Sequence, residues 1–203
     1  MSIALIDYGA GNLTSVKKAL AAIGADVFVP GSPGDLARAR GVIVPGVGHF
    51  DATRALDGPW VDAIRTVVDE GRPLLGICLG MQWLFAGSEE APDCPGLGLL
   101  EGRCYRLSGR NGATLLKVPH VGWNSLRIRR PAPIVAGVEH NAQVYFTHSY
   151  AAPVTEDTVA TTEHGEAFAA IVQRGHVAGV QFHPEKSGDV GLQMLRTFVR
   201  SAA

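Results

Sequence analysis

Residues 73–82, Pro-Leu-Leu-Gly-Ile-Cys-Leu-Gly-Met-Gln, constrain this chain more than any other stretch. Leu74–Ile77 reads as a buried strand that runs into Cys78, with Gly76 and Gly80 two residues to either side and helix-compatible residues over 79–85. That is the pattern of a nucleophile elbow, with cysteine where other hydrolases carry serine. A nucleophile on so sharp a strand-to-helix turn needs strained backbone angles, and a side chain at either glycine would crowd it. The turn sets the sulfur over the first amides of a helix, where the positive end of the peptide dipoles favours thiolate. The same residues also suit a buried structural cysteine in a Gly-rich turn, and the choice rests on the rest of the chain.

The elbow implies a parallel sheet, and the first half of the chain supplies one. Strands are expected at 2–6, 25–30, 41–45 and 74–77, short and continuously apolar, as in a sheet covered on both faces. Between them lie helical stretches at 13–23, capped by Asn12 and stopped by Gly24, at 35–40, and at 60–70 behind Pro59. Such alternation argues for βαβ units. From Gly98 onward the pattern changes to short β-like runs at 102–107, 114–118, 123–129, 143–150, 159–162, 167–173 and 177–182, closed by a helix at 190–200. Residues 87–97 read as an excursion within the same unit. The expected fold is α/β, one domain over residues 1–203, with a mixed, mostly parallel sheet flanked by helices and extra antiparallel strands in the second half.

Length and composition narrow the function. A chain of 203 residues with 46% hydrophobic and 18% charged residues can bury a core and is not a disordered segment. A net charge of −1 offers no electrostatic case for nucleic acid or an anionic membrane. The start lacks the basic and apolar regions of a signal peptide, and no run suffices to span a bilayer. Three cysteines make no disulfide framework, so the expectation is a cytoplasmic protein with reduced thiols.

Three segments bear on the elbow. Pro45-Gly46-Val47-Gly48 follows a strand directly, and loops beyond the carboxyl ends of parallel strands are where such sheets bind ligands. A small-residue loop with free N–H groups beside a nucleophile is what an oxyanion hole needs; it is also an ordinary βα turn. Gln181-Phe182-His183-Pro184-Glu185 ends another strand, and residues two apart in extended chain point the same way. Glu185 is thus placed to orient the His183 imidazole, completing a nucleophile, base and orienting acid. Tyr145-Phe146-Thr147-His148-Ser149-Tyr150 ends a strand in hydroxyl groups that suit a polar pocket or an aromatic edge.

Taken together, Gly76-Ile77-Cys78-Leu79-Gly80-Met81-Gln82 and His183-Pro184-Glu185 resemble the class I glutamine amidotransferase domain. The resemblance implies Cys78 as nucleophile toward glutamine's side-chain amide, His183 as base and then acid, and Glu185 as orienter. Backbone amides of the Gly46–Gly48 loop and of Leu79 would face the oxyanion, and Gln82, Ser149 and Tyr150 match positions that hold the glutamine backbone. Ile6-Asp7-Tyr8-Gly9-Ala10-Gly11-Asn12-Leu13, Lys117-Val118-Pro119-His120-Val121-Gly122-Trp123-Asn124 and Lys186-Ser187 are similar to the subfamily of glutaminase subunits of imidazole glycerol phosphate synthase. That likeness implies a (β/α)8 cyclase subunit as heterodimer partner, to which ammonia from L-glutamine is passed. It also places Asn12, Tyr145 and Lys186 at the interface, suggests a peptide at Val47 that turns over on activation, and implies no cofactor.

Two rival readings stay open at this point. A free-standing glutaminase or γ-glutamyl hydrolase would use the same triad. A redox-sensing cysteine protein would use Cys78 but has no evident need of His183 and Glu185. Cys94 and Cys104 lie in no elbow and read as plain free thiols. The spacing of His120, His140, His148 and Cys104 matches no zinc pattern, so no metal is expected. Arg127, Arg129 and Arg130 read as a solvated strand edge.

Overall fold

The computed structural model describes residues 2–202; Met1 and Ala203 lie outside the described residues. One eight-stranded sheet organises it. Its strands are β1 (Ile3–Leu5), β2 (Val27–Phe28), β3 (Gly41–Val44), β4 (Leu74–Ile77), β6 (Arg127–Ile128), β8 (Thr158–Glu163), β9 (Ala167–Arg174) and β10 (Val177–Val180). The spatial order is β6-β8-β9-β10-β4-β3-β1-β2. The β2, β1, β3, β4 and β10 strands run parallel, and β9, β8 and β6 continue the sheet antiparallel. The expected mixed, mostly parallel sheet is therefore present.

Every residue of β1, β3, β4 and β10 is buried, which is why these strands read as apolar runs without alternation. Successive residues still serve opposite faces. Ile3, Leu5, Ile43, Leu75 and Ile77 pack with helix α1 (Leu13–Ala22) and helix α4 (Gly188–Ser201). Ala4, Val42, Val44 and Leu74 pack with helix α2 (Gly58–Asp69) and helix α3 (Leu79–Trp83). Asn12 caps α1 as expected, its Oδ1 accepting from the Ser15 N–H at 3.2 Å.

Several boundaries differ from the sequence reading. The 123–129 run is two strands: β5 (His120–Ser125) pairs antiparallel with β7 (Gln143–His148) in a separate two-stranded sheet, while β6 forms the edge of the large one. Buried Leu126 is the crossing point. The 143–150 run likewise divides at Ser149, and Tyr150–Ala151 pairs with Tyr105–Arg106 instead. Residues 87–97 are not a bare excursion but hold a hairpin, Gly87–Ser88 against Ala91–Pro95; the prolines are tolerated because Ala91–Pro95 is an edge strand. A 3-10 turn at Phe50–Ala55 was not anticipated. Arg130 is no solvated edge residue: its guanidinium reaches inward to the carbonyls of Asp157 and Gln173, at 3.1 and 2.6 Å. No helix among the described residues is long and apolar enough to cross a membrane.

Candidate active site

Cys78 sits at the carboxyl end of β4 with φ 53° and ψ −107°, a conformation sparsely populated for a residue with a side chain. Two close approaches enforce the flanking glycines. A Cβ on Gly80 would stand 1.8 Å from the Val44 carbonyl oxygen, and one on Gly76 would stand 2.6 Å from that of Gly80. The Cys78 N–H donates to the Val180 carbonyl at 2.8 Å, tying the elbow to β10. Helix α3, which follows, has five residues. That is too short for a substantial macrodipole, so any help to an anion comes from individual N–H groups rather than from the helix dipole invoked on sequence grounds.

Residue His183 ends the chain segment beyond β10. Its backbone is clamped: the His183 N–H donates to the Tyr145 carbonyl at 2.9 Å, and its carbonyl accepts from Ser187 Oγ at 2.6 Å. The Tyr145 N–H in turn donates to Ser187 Oγ at 3.0 Å. Nδ1 of His183 lies 2.8 Å from Glu185 Oε1, with both side chains 2% exposed. The pair forms as expected but by a different route. Pro184–Lys186 is a 3-10 turn, and its curl, rather than extended alternation, brings the carboxylate back to the ring.

Burial alone would lower the His183 pKa; the Cys78 sulfur and the Glu185 carboxylate beside it outweigh burial and raise it to about 10. Nε2 of His183 and Oε2 of Glu185 are buried without a hydrogen-bond partner among the described residues. Two such groups left unsatisfied beside a strained cysteine set this site apart from a structural cysteine turn.

A cavity of about 260 Å³ opens over the elbow. Gly48, Cys78, Leu79, Gln82, Ser149 and Tyr150, all singled out from sequence, line it, and Glu90, Pro119, Thr147 and His148 complete the wall. Gly46 stands back from the cavity, and its carbonyl accepts the Leu79 N–H at 3.3 Å. One of the two expected oxyanion donors is therefore engaged within the protein. Asn12, Tyr145 and Lys186 are not in the cavity. Lys186 Nζ lies 5.8 Å over the Tyr145 ring, and α1, which Asn12 caps, packs against the turn that carries Lys186.

The sequence reading missed Gln181. Its Nε2 donates to Cys78 Sγ at 3.7 Å, and its Oε1 accepts from Gln82 Nε2 at 3.1 Å. Gln82 Nε2 also donates to the Tyr150 carbonyl at 2.8 Å, so two carboxamides in series hold the thiol. Gln181 lies two residues before His183, and the parity argument applied to Glu185 would have found it. Glu90 carried no comparable signal. It reaches the wall because the 87–95 hairpin folds over, with its carboxylate accepting the Phe50 N–H at 2.8 Å.

The arrangement provides a thiol, an imidazole backed by a carboxylate, and a polar cavity, which is the equipment for acyl transfer through a thioester. The model of the class-I glutamine amidotransferase family matches residues 4–202. The imidazole glycerol phosphate synthase subunit HisH of Halobacterium salinarum is 48% identical over 207 residues, covering 98% of this chain and 92% of that protein. HisH of Geobacillus kaustophilus is 51% identical over 203 residues, covering 97% and 95%. Among solved structures, a glutamine amidotransferase superposes with a TM-score of 0.75 at 22% identity, over 100% of this chain and 99% of the other. PurLQS from Thermotoga maritima gives 0.76 at 18%, over 98% and 97%. At those identities the structural likeness speaks for the fold alone.

Proposed function

This chain belongs to the class-I glutamine amidotransferases, within them to the HisH subunits of imidazole glycerol phosphate synthase, and from that membership we propose how its residues work. The protein is the glutaminase subunit of the synthase. It hydrolyses L-glutamine to glutamate and passes ammonia to a cyclase subunit, which makes imidazole glycerol phosphate and aminoimidazole carboxamide ribotide in histidine biosynthesis.

In the reaction Cys78 Sγ attacks the side-chain amide carbon of glutamine, its proton having already passed to His183 Nε2, which holds it firmly because, against burial, Cys78 and Glu185 raise the imidazole pKa to about 10. His183 returns that proton to the departing nitrogen, leaving a thioester on Cys78. The same imidazole then removes a proton from the water that releases glutamate. Glu185 keeps the ring oriented and its protonated form stabilised. The observation that carries this reading is the His183–Glu185 pair at 2.8 Å beside a cysteine whose backbone is strained at a strand end. The cavity wall formed by Gln82, Ser149 and Tyr150 is the place for the glutamine backbone.

The oxyanion forms where the Leu79 N–H points, but that N–H is held by the Gly46 carbonyl. Turning over the Gly46–Val47 peptide frees it and aims the Val47 N–H at the same spot. One such donor is worth roughly 3–4 kcal/mol in the transition state. A glutaminase in this resting form is slow, as a subunit that must not waste glutamine should be.

The partner is a (β/α)8 cyclase, and its docking face is the one that holds Val121 and Trp123, both 57% exposed on β5. Large apolar side chains left in water side by side mark an interaction surface. Trp123 stands edge-on to Tyr145 at 6.1 Å, and Lys186 lies over the same ring. The peptide of Tyr145 hydrogen-bonds to His183 and Ser187, so pressure on that face is one backbone away from the base. Asn12 and Lys186 extend the same interface.

The test is glutamate release by the purified chain, alone and with the cyclase subunit and its aminoimidazole carboxamide nucleotide. Fast release is expected only in the mixture. Equally fast release from the chain alone would favour a free-standing hydrolase and sink the coupled reading.

A further inference from the structure

Tyr8 lies in the turn between β1 and α1, and no role has so far fallen to it. Its hydroxyl oxygen is buried and has no hydrogen-bond partner among the described residues. Buried phenols nearly always find one, so an orphan needs a reason. Its position supplies one. A Cβ added to Gly46 would stand 2.1 Å from Tyr8 Oη and 2.9 Å from Leu79 Cβ. The hydroxyl therefore rests against the bare Cα of the residue whose carbonyl occupies the Leu79 N–H. Any other residue at 46 would push these groups apart. Burial first, and the nearby Cys78 second, raise the phenol pKa, so the group stays a protonated donor.

Resting on the proposed oxyanion mechanism, we infer that Tyr8 is a positioning residue: its hydroxyl accommodates the Gly46 carbonyl when the Gly46–Val47 peptide turns over. A carbonyl leaving the Leu79 N–H inside protein needs another donor, or the turned-over state is short of one hydrogen bond. Rotation about the Gly46 Cα–C bond carries the oxygen round the Cα that the hydroxyl touches. The exchange replaces Leu79 N–H···O=C with Tyr8 O–H···O=C. The number of hydrogen bonds is restored, and Leu79 is free for the substrate. The orphan hydroxyl of the resting state is thus the vacant receptor of the active one, and the switch costs little because its second position is prepared.

Tyr8→Phe removes the hydroxyl and keeps the ring. We expect the stimulation of glutamate release by the cyclase and its nucleotide to shrink about tenfold, the size of one modest hydrogen bond. The loss falls on kcat, with KM for glutamine little changed, because the hydroxyl acts on the transition-state donor and not on substrate binding. The melting temperature should hold or rise, since an unsatisfied buried group has gone. Wild-type stimulation in Tyr8→Phe overturns the inference. So does a proportional fall of the stimulated and unstimulated rates, which would mean that Tyr8 only packs. A wild-type chain that is not stimulated at all overturns the coupled reading beneath it, and the role of Tyr8 falls with it.

Discussion

His183 and the pair His120–His148 are equally buried, at 2%, 4% and 6% exposure, yet their surroundings are opposites. In the pair every ring nitrogen has a partner. Asn124 Nδ2 donates to His120 Nε2 at 3.2 Å, His120 Nδ1 to His148 Nε2 at 3.0 Å, and His148 Nδ1 to the Tyr150 carbonyl at 2.9 Å. The amide at one end and the carbonyl at the other assign the tautomers: each ring gives one bond and accepts one, and both are neutral. Phe146 and His164 stack on His120 at 4.8 and 4.2 Å. Around His183 the bonds stop short. Among the described residues Nε2 has no hydrogen-bond partner, nor does the second oxygen of Glu185, nor, in the loop opposite, the hydroxyl of Tyr8. Satisfied polar groups hold a fold in place; unsatisfied ones beside strained backbone are reserved for something that arrives.

The contrast is broken most severely at the unsatisfied end. Cys78→Ala should abolish glutamine-dependent synthesis by the complex while ammonia-dependent synthesis persists. Loss of both activities would make Cys78 a structural residue, contrary to the role proposed for it. His183→Ala should approach the same loss, on the order of 10⁴–10⁶ in turnover, and Glu185→Ala a smaller one, because an orienting acid removed alone leaves part of the catalysis. Steady-state glutamate release in the presence of the cyclase measures both. A Glu185 variant as crippled as His183→Ala would mean that the carboxylate does more than orient.

The satisfied end should respond in stability instead. His148→Leu leaves the His120 Nδ1–H without an acceptor, which should destabilise the fold by about 1–3 kcal/mol. The Tyr150 carbonyl keeps its bond from Gln82, so turnover should fall far less than in the triad variants. Urea unfolding read beside kinetics separates the two. A His148→Leu protein that keeps its stability and loses its turnover would move His148 into the reacting group and erase the contrast.

How much of this was legible in the sequence follows the same division. The elbow was readable because strain demands glycines at fixed spacing, and Gly76 and Gly80 are where the close approaches to Gly80 and Val44 occur. The parallel strands were readable because burial on both faces leaves unbroken apolar runs. The breaks at Leu126 and Ser149 were not, since one residue's change of hydrogen-bonding neighbour leaves no mark on local hydrophobicity. Nor was the contact of Tyr8 with Gly46. It depends on the approach of segments far apart in the chain, which no local pattern encodes.

The finest test of the contrast is pH, because the two groups of histidines bend stability in opposite directions. Burial, then the neighbouring imidazoles, lower the pKa of His120 to about 4 and of His148 to about 3. An unfolded histidine titrates near 6.5, so between about 4 and 6.5 the unfolded chain binds more protons and stability rises with pH. What the neutral pair contributes is whole above 6.5 and is lost as pH falls toward 4 and then 3. His183, raised to about 10, behaves inversely. Its contribution is whole below about 6.5 and is lost as pH climbs toward 10, because there the folded chain is the one that binds the extra proton. Urea midpoints across that span should therefore decline on both sides. His148→Leu should make the acid side shallower, where His120 still titrates, and leave the alkaline side. His183→Gln should level the alkaline side and touch the acid side only through the loss of its repulsion of His148, the smallest of the effects on that ring. If His148→Leu levels the alkaline side, or His183→Gln leaves it standing, the two sets of histidines are not the opposites that their hydrogen bonds describe.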